Sequence, residues 1–180
     1  MKKSKRYEIR LSGSGGQGLI MAGILLADAV SIYGKYNVIQ SQSYGPEARG
    51  GASKSEVIIS DEAIYYPKAL KLDLLLCLSQ DACDKFYRDL KGNGMLVVDT
   101  TYVKSPPLHD LIHAFPLTST AIRELGKSIS TNILSLGLLA GLVPQIDLEG
   151  LKTAVRKRMP PHIVEMNLKA LDIGYGLAPK

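Results

Sequence analysis

Gly13-Ser14-Gly15-Gly16-Gln17-Gly18 stands between an alternating run, Tyr7-Glu8-Ile9-Arg10-Leu11, and a helical pattern that extends from Leu19 to Tyr33. A glycine-rich turn between a strand and a helix brings bare backbone N–H groups to the positive end of a helix dipole, where anions bind. Gly13, Gly15 and Gly18 fit the spacing G-x-G-x-x-G. That spacing nominates Gly13, Gly15, Gly16, Gln17 and Gly18 as cofactor-binding residues. The same glycines also have a plain structural use, because they permit a tight turn and close helix–strand packing. In a dinucleotide site, an acid after the second strand would hold the ribose hydroxyls. Here that strand, Tyr36-Asn37-Val38-Ile39-Gln40, is followed by Ser41 and ends in amide and hydroxyl. The turn therefore fits an anion better than it fits NAD or FAD.

Working outward, apolar strands alternate with helical patterns. Leu19, Ala22, Gly23, Leu26, Ala27 and Val30 share one helix face, with small residues for close approach to a sheet. Strands are expected at Val38–Ser41, Glu56–Ser60, Leu72–Leu78 and Met95–Asp99. A helix over Asp81–Leu90 is expected to be closed by Gly92-Asn93-Gly94. Thr118 or Ser119 is a candidate cap for a helix that stops at Gly126. Ser130–Leu142 is apolar all round and reads as buried, with a partner chain as one candidate cover and Gly137 and Gly141 as points of close approach. Asp147 is placed to cap the next helix, Pro160-Pro161 to end it, and a last helix to run from His162 to Leu171. The expectation is an α/β fold: a Rossmann-like, mostly parallel sheet flanked by helices, with a helical C-terminal third and residues 1–180 as a single domain.

Composition narrows the chemistry. The two cysteines, Cys77 and Cys83, have no metal spacing, whereas an iron–sulfur cluster needs about four thiolates. His109, His113 and His162 have no paired nucleophile, and no metal site or catalytic residue is nominated. The net charge of +5 is concentrated in the N-terminal tail and in Arg156-Lys157-Arg158, where cations suit a helix C-terminus. No nucleic-acid motif accompanies them, so no nucleic-acid partner is expected. The basic start leads into a strand, not an apolar stretch. The most apolar segment, Ile133–Val143, is about half a membrane span. The chain is expected in the cytoplasm with no membrane partner.

The second decisive stretch is Gln42-Ser43-Tyr44-Gly45-Pro46-Glu47-Ala48-Arg49-Gly50-Gly51-Ala52-Ser53. It follows strand two, so it belongs on the carboxyl edge with the glycine turn, where ligands of open α/β sheets bind. Tyr44, Glu47, Arg49, Gly50 and Ser53 are candidates for ligand contact or a subunit interface. Arg49 has the bidentate fork that suits a carboxylate or phosphate, and it equally suits a salt bridge within the loop or across an interface. Asn132, early in the buried helix, is a further candidate for a hydrogen bond to a loop or a neighbouring subunit.

Together the turn, the following Ala22-Gly23 and Leu26-Ala27, and the Tyr44–Ser53 loop resemble the gamma subunit of 2-oxoacid:ferredoxin oxidoreductases, most closely the 2-oxoglutarate type. The likeness covers essentially the whole chain and includes Asn132 with Leu136-Gly137. It implies a hetero-oligomeric enzyme with alpha, beta and sometimes ferredoxin-like delta subunits. That enzyme holds thiamine diphosphate between its alpha and beta chains and iron–sulfur clusters on partner subunits. It decarboxylates a 2-oxoacid oxidatively, passes electrons to ferredoxin and places the acyl group on coenzyme A. This chain alone would bind none of those groups firmly and would be inactive by itself, although the glycine turn suits the phosphates of coenzyme A. The rival reading is a free-standing, nucleotide-binding NAD(P)-linked reductase.

Overall fold

The computed structural model describes residues 6–42 and 51–179. Six strands, β1 (Arg6–Ser14), β2 (Asn37–Gln42), β3 (Ala52–Ser60), β4 (Leu72–Cys77), β5 (Leu90–Asp99) and β6 (Ile112–Phe115), form one sheet in the order β2-β3-β1-β4-β5-β6. β1 pairs parallel with β4, β4 with β5, and β5 with β6, while β3 runs antiparallel to both β1 and β2. Only β3 is reversed, so the sheet is mostly parallel, as expected. The reversal turns the chain back at the carboxyl edge between β2 and β3, beside the end of β1.

Alternation along β1 divides the molecule into two unequal layers. Ile9 and Leu11 face the larger core with Leu74, Leu76 and Val97. That face is covered by α1 (Leu19–Ser31), α3 (Leu117–Leu125), α4 (Thr131–Leu142), α5 (Leu148–Arg158) and α6 (Pro161–Gly176). The other face carries Leu72, Leu75, Cys77, Leu96 and Val98 under α2 (Gln80–Phe86). On this second face Glu8 and Arg10 of β1 are charged yet buried. Arg10 lies directly opposite Glu56 in the β1–β3 ladder. Its Nη2 is 2.7 Å from Glu56 Oε1, its Nη1 pairs with Asp89, and its guanidinium lies 5.0 Å from the centre of the Phe86 ring. Burial alone would raise the Glu56 carboxyl, but the Arg10 charge and hydrogen bonds from Arg10 and Lys54 outweigh burial and hold it below its ordinary value.

The C-terminal helices pack at unusually short range. A β-carbon built on Gly174 of α6 would lie 1.8 Å from the Leu134 carbonyl oxygen of α4, and one on Gly137 would lie 2.1 Å from that of Leu171. The two backbones touch, and α4 is buried within its own chain. This corrects the expectation that a partner chain might cover it. Asp147 caps α5 by accepting from Gly150 N at 2.7 Å, and Gly126 ends α3 in the left-handed region.

Other boundaries differ from the sequence reading. Gly92-Asn93-Gly94 lie inside β5 and close no helix; α2 ends at Phe86 and a 3-10 turn leads into the strand. A register shift in the β4–β5 ladder accommodates these glycines. Neither Thr118 nor Ser119 caps α3, which starts after Pro116. The last helix runs about a turn beyond Leu171, to Gly176.

Two outcomes follow. On an exposed helix Gly→Ala stabilises by about 1 kcal/mol, but Gly174→Ala should instead cost about 1–3 kcal/mol or more by prising α6 from α4, as read by urea unfolding. Arg10→Met leaves Lys54 as the remaining cation on the buried Glu56 and should cost about 1–3 kcal/mol. Because Glu56 is held below its ordinary value of 4.5, the wild-type pair contributes fully above that pH and is lost as pH falls through the lowered value. The difference between wild type and variant in a melting series should shrink accordingly below about pH 4.

Candidate functional site

The carboxyl edge of the sheet gathers four chain segments. β1 ends at Ser14, and Gly15, Gly16 and Gln17 make the turn into α1. Gly16 and Gly18 have φ of 86° and 72°, in the left-handed region that other residues rarely adopt. Gly18 leads into α1 with no side-chain cap, and no acidic residue stands in the helix's first turn. The dipole end and its N–H groups are thus left to whatever sits there.

Two side chains hold the turn. Gln17 Oε1 accepts from Ser14 N at 2.7 Å, and its Nε2 donates to Leu78 O at 3.3 Å, tying the turn to the end of β4. Asn132 Nδ2 donates to Gly18 O at 3.1 Å, and a β-carbon on Gly18 would come within 2.4 Å of that nitrogen. Asn132 therefore belongs to the site as a support for the turn, reaching it from the buried helix α4.

Register brings the second loop to the same place. Gly13 lies opposite Ser53 and Ser14 opposite Ala52, and Gln42 ends β2 opposite Ser55. Ser53 lines a cavity of about 270 Å³ with Ser14, Gly16, Gln17, Gly18, Leu19 and Ile20. The candidates Tyr44, Glu47, Arg49 and Gly50 lie outside the described residues. The residues that bound their loop, Gln42 and Gly51, are described, and β2 delivers the loop to the carboxyl edge.

A larger cavity of about 560 Å³ adjoins the other side of the turn, with Ser14, Gly16 and Gln17 common to both. Leu78, Ser79, Gln80 and Asp81 line it from the β4–α2 junction, and Tyr102, Thr118, Ser128 and Ile129 from the far side. None of these far-side residues was nominated from sequence. Behind them is the fully buried Asp99 at the end of β5. Its Oδ2 accepts from Thr118 Oγ1 at 2.6 Å and from Thr118 N at 3.2 Å, and its Oδ1 from Thr101 N at 3.0 Å. Thr131 lies 3.2 Å from the Thr118 hydroxyl and donates to Ser128 O at 2.7 Å. An acid at the carboxyl end of a buried strand was the available signal, since that edge is where α/β sheets bind ligands.

Among the described residues the lining mixes hydroxyls, amides and backbone with the apolar Leu19, Ile20, Leu78 and Ile129, and it holds one carboxylate, Asp81, and no cation. Such a surface can bind and orient. It offers no paired nucleophile and base. Among the described residues no group of His, Cys, Asp and Glu is arranged to hold a metal. Cys77 at the end of β4 and Cys83 of α2 are both buried; burial pushes the Cys77 thiol well up, and a hydrogen bond from Cys77 lowers that of Cys83. His109 is spent on structure, with Nε2 2.6 Å from Gly94 O and Nδ1 3.2 Å from the Tyr87 hydroxyl. No helix among the described residues is long and apolar enough to cross a membrane.

Comparison with known proteins agrees with this geometry. The profile of the family described as pyruvate ferredoxin/flavodoxin oxidoreductase matches residues 8–177, and the chain belongs to that family. It is 46% identical to 2-oxoglutarate synthase subunit KorC of Methanocaldococcus jannaschii, over 96% of this chain and 94% of that one. Its fold is similar to the gamma subunit of a keto/oxoacid ferredoxin oxidoreductase from Geobacter sulfurreducens, with a TM-score of 0.87, 46% identity and coverage of 96% and 95% of the two chains. It is also similar to a 2-oxoglutarate:ferredoxin oxidoreductase from Magnetococcus marinus solved with 2-oxoglutarate, coenzyme A and succinyl-CoA bound. That match has a TM-score of 0.83 and 25% identity, and it covers 97% of this chain but 31% of that one. These relatives favour the oxoacid oxidoreductase reading over a free-standing NAD(P)-linked reductase.

Removing the Asn132 support should loosen the turn without unfolding the sheet. Asn132→Ala should lower stability by about 1 kcal/mol and speed amide exchange at Gly16–Leu19 relative to the strands. Unchanged exchange there would mean that Gln17 alone holds the turn.

Proposed function

We propose that this member of the pyruvate ferredoxin/flavodoxin oxidoreductase family is the gamma subunit of a 2-oxoacid:ferredoxin oxidoreductase, acting on 2-oxoglutarate and inactive without its partners. What carries the reading is likeness along nearly the whole chain to a 2-oxoglutarate synthase subunit, joined to a site built for binding and not for bond breaking. Thiamine diphosphate and iron–sulfur clusters on the alpha, beta and delta subunits would supply decarboxylation and electron transfer to ferredoxin. This chain's part is to help seat coenzyme A, the cosubstrate present in the Magnetococcus marinus structure.

The residues fit a phosphate of that cosubstrate. Backbone N–H groups at the uncapped start of α1 and the open turn at Gly16 present donors to an anion. Position within the cleft follows from charge. Asp81 repels an anion in the larger cavity, whereas the smaller one, between Gly16–Ile20 and Ser53, has no carboxylate among the described residues that line it. A phosphate belongs in the smaller one, close to the loop that bears Arg49. The larger cavity, with Leu78, Tyr102 and Ile129 among its hydroxyls and amides, suits the less charged remainder of the molecule.

Reconstitution tests both levels. With its partner chains the protein should support coenzyme A-dependent reduction of a viologen by 2-oxoglutarate in preference to other 2-oxoacids, and alone it should reduce nothing. Oxidation of NAD(P)H or of an oxoacid by the isolated chain would sink the reading. Gly16→Asp places a carboxylate on the open face of the turn, where a β-carbon meets no atom within 4 Å. Any side chain at Gly16 is strained by its φ of 86°, so Gly16→Asn is the control: Gly16→Asp should raise the KM for coenzyme A about tenfold or more over Gly16→Asn. An unchanged KM would remove coenzyme A from the glycine turn.

A further inference from the structure

We infer that the connection from 61 to 71, between β3 and β4, is a preformed docking surface for the larger catalytic chain of the oxidoreductase; this rests on the functional reading above. The connection has no helix or strand, yet its side chains are set as an apolar patch: Tyr65 is 94% exposed, Leu70 62% and Tyr66 49%. Its backbone is pinned from beneath. The Arg6 guanidinium donates to Tyr66 O at 3.1 Å and to Lys68 O at 2.9 Å. Glu8 Oε2 accepts from Leu70 N at 2.6 Å and from Lys71 N at 3.0 Å, and Glu56 Oε2 accepts from Ala69 N at 3.3 Å. Arg6 and Glu8 are themselves paired at 2.6 Å.

Three charged side chains from β1 and β3 thus fix the backbone of a surface loop whose tyrosines and leucine face water. A flexible loop would have to be ordered on binding, and this one is ordered beforehand. Tyrosine is enriched among residues that dominate interface energy, and contiguous exposed apolar patches mark interaction sites. Lys68 and Lys71 stand at one end of the connection and Asp61 and Glu62 at the other, all exposed, so the fitting partner presents an apolar socket with a rim of mixed charge.

The occupant is argued from the relatives. In the Magnetococcus marinus protein this fold makes up 31% of one longer chain, so there it is covalently joined to a larger body. A separate chain of the same fold must make that association through its surface, and a stable interface takes about 800 Å² from each side with an apolar centre. The patch lies at the amino end of β1, where Arg6 stands opposite Ser60, and the glycine turn lies at the other end. Docking here leaves the cleft open towards the substrate.

The test is binding of the separately purified larger chain by the wild type, the Tyr65→Ser/Leu70→Ser double variant and the single variant Tyr65→Ser. The exposed side chains make no fold contacts of consequence, so both variants should melt with the wild type. The double variant should bind at least about thirtyfold more weakly, and Tyr65→Ser should fall between. Wild-type affinity in both variants overturns the docking surface alone. A wild-type self-dimer that the double variant breaks, with the larger chain binding both equally, assigns the patch to a second copy and also overturns it. A wild type that does not bind the larger chain overturns this inference and the functional reading together.

Discussion

The buried pair Arg10–Glu56 sets the register on which the site depends. The two residues are direct neighbours across the β1–β3 ladder, both nearly inaccessible, and Asp89 and the Phe86 ring complete the surroundings of the guanidinium. A slip of one residue between these strands would turn every side chain of β3 to the opposite face and part Arg10 from Glu56, leaving Asp89 and Lys54 as their separate partners. Such pairs contribute little net stability compared with apolar replacements, because both ions are stripped of water. Their consequence here is positional. With Arg10 against Glu56, Gly13 must face Ser53 and Ser14 must face Ala52, so the start of β3 meets the glycine turn.

The two sides of the sheet are held by different means. On one side α4 and α6 approach until glycine backbone meets carbonyl oxygen, and the core beneath is apolar. On the other side one short helix covers the sheet, and Glu8 and Arg10 of β1 are charges enclosed by α2 and the 61–71 connection. The first layer gives rigidity to α4, which carries Asn132 to the Gly18 carbonyl. The second gives rigidity to the connection itself. Support for the cleft and support for the opposite edge therefore run through separate parts of the chain.

Much of this was legible. Glycine spacing located the turn, Asp147 and Gly126 marked a helix start and a helix stop, and Gly137 announced a close approach. The misreadings share one cause: a local signal was used by a distant partner. Glu8 and Arg10 are the polar members of the alternating strand, and Arg10 meets Glu56 and Asp89 while Glu8 meets the backbone at Leu70 and Lys71. Thr118 had the chemistry of a cap and serves Asp99. Gly92 and Gly94 look like punctuation and occupy an irregular stretch of β5 instead. Asn132 was foreseen as a hydrogen-bonding residue, while its target, a carbonyl 114 positions away, follows only from the fold.

The distribution of polar groups in the cleft favours binding over bond breaking. Its cleft uses hydroxyls and amides that already have geometric duties: Gln17 binds the turn, Gln80 holds the backbone at Lys104 and Ser105, and Thr118 is fixed to Asp99. Groups committed in this way are preorganised for recognition, and they are poor at taking or giving a proton because each would have to abandon a structural bond. The backbone N–H groups at the start of α1 are left uncapped by any side chain. They can hold an anion but cannot activate one. A surface of this kind is suited to positioning an anion at its rim rather than to breaking a bond.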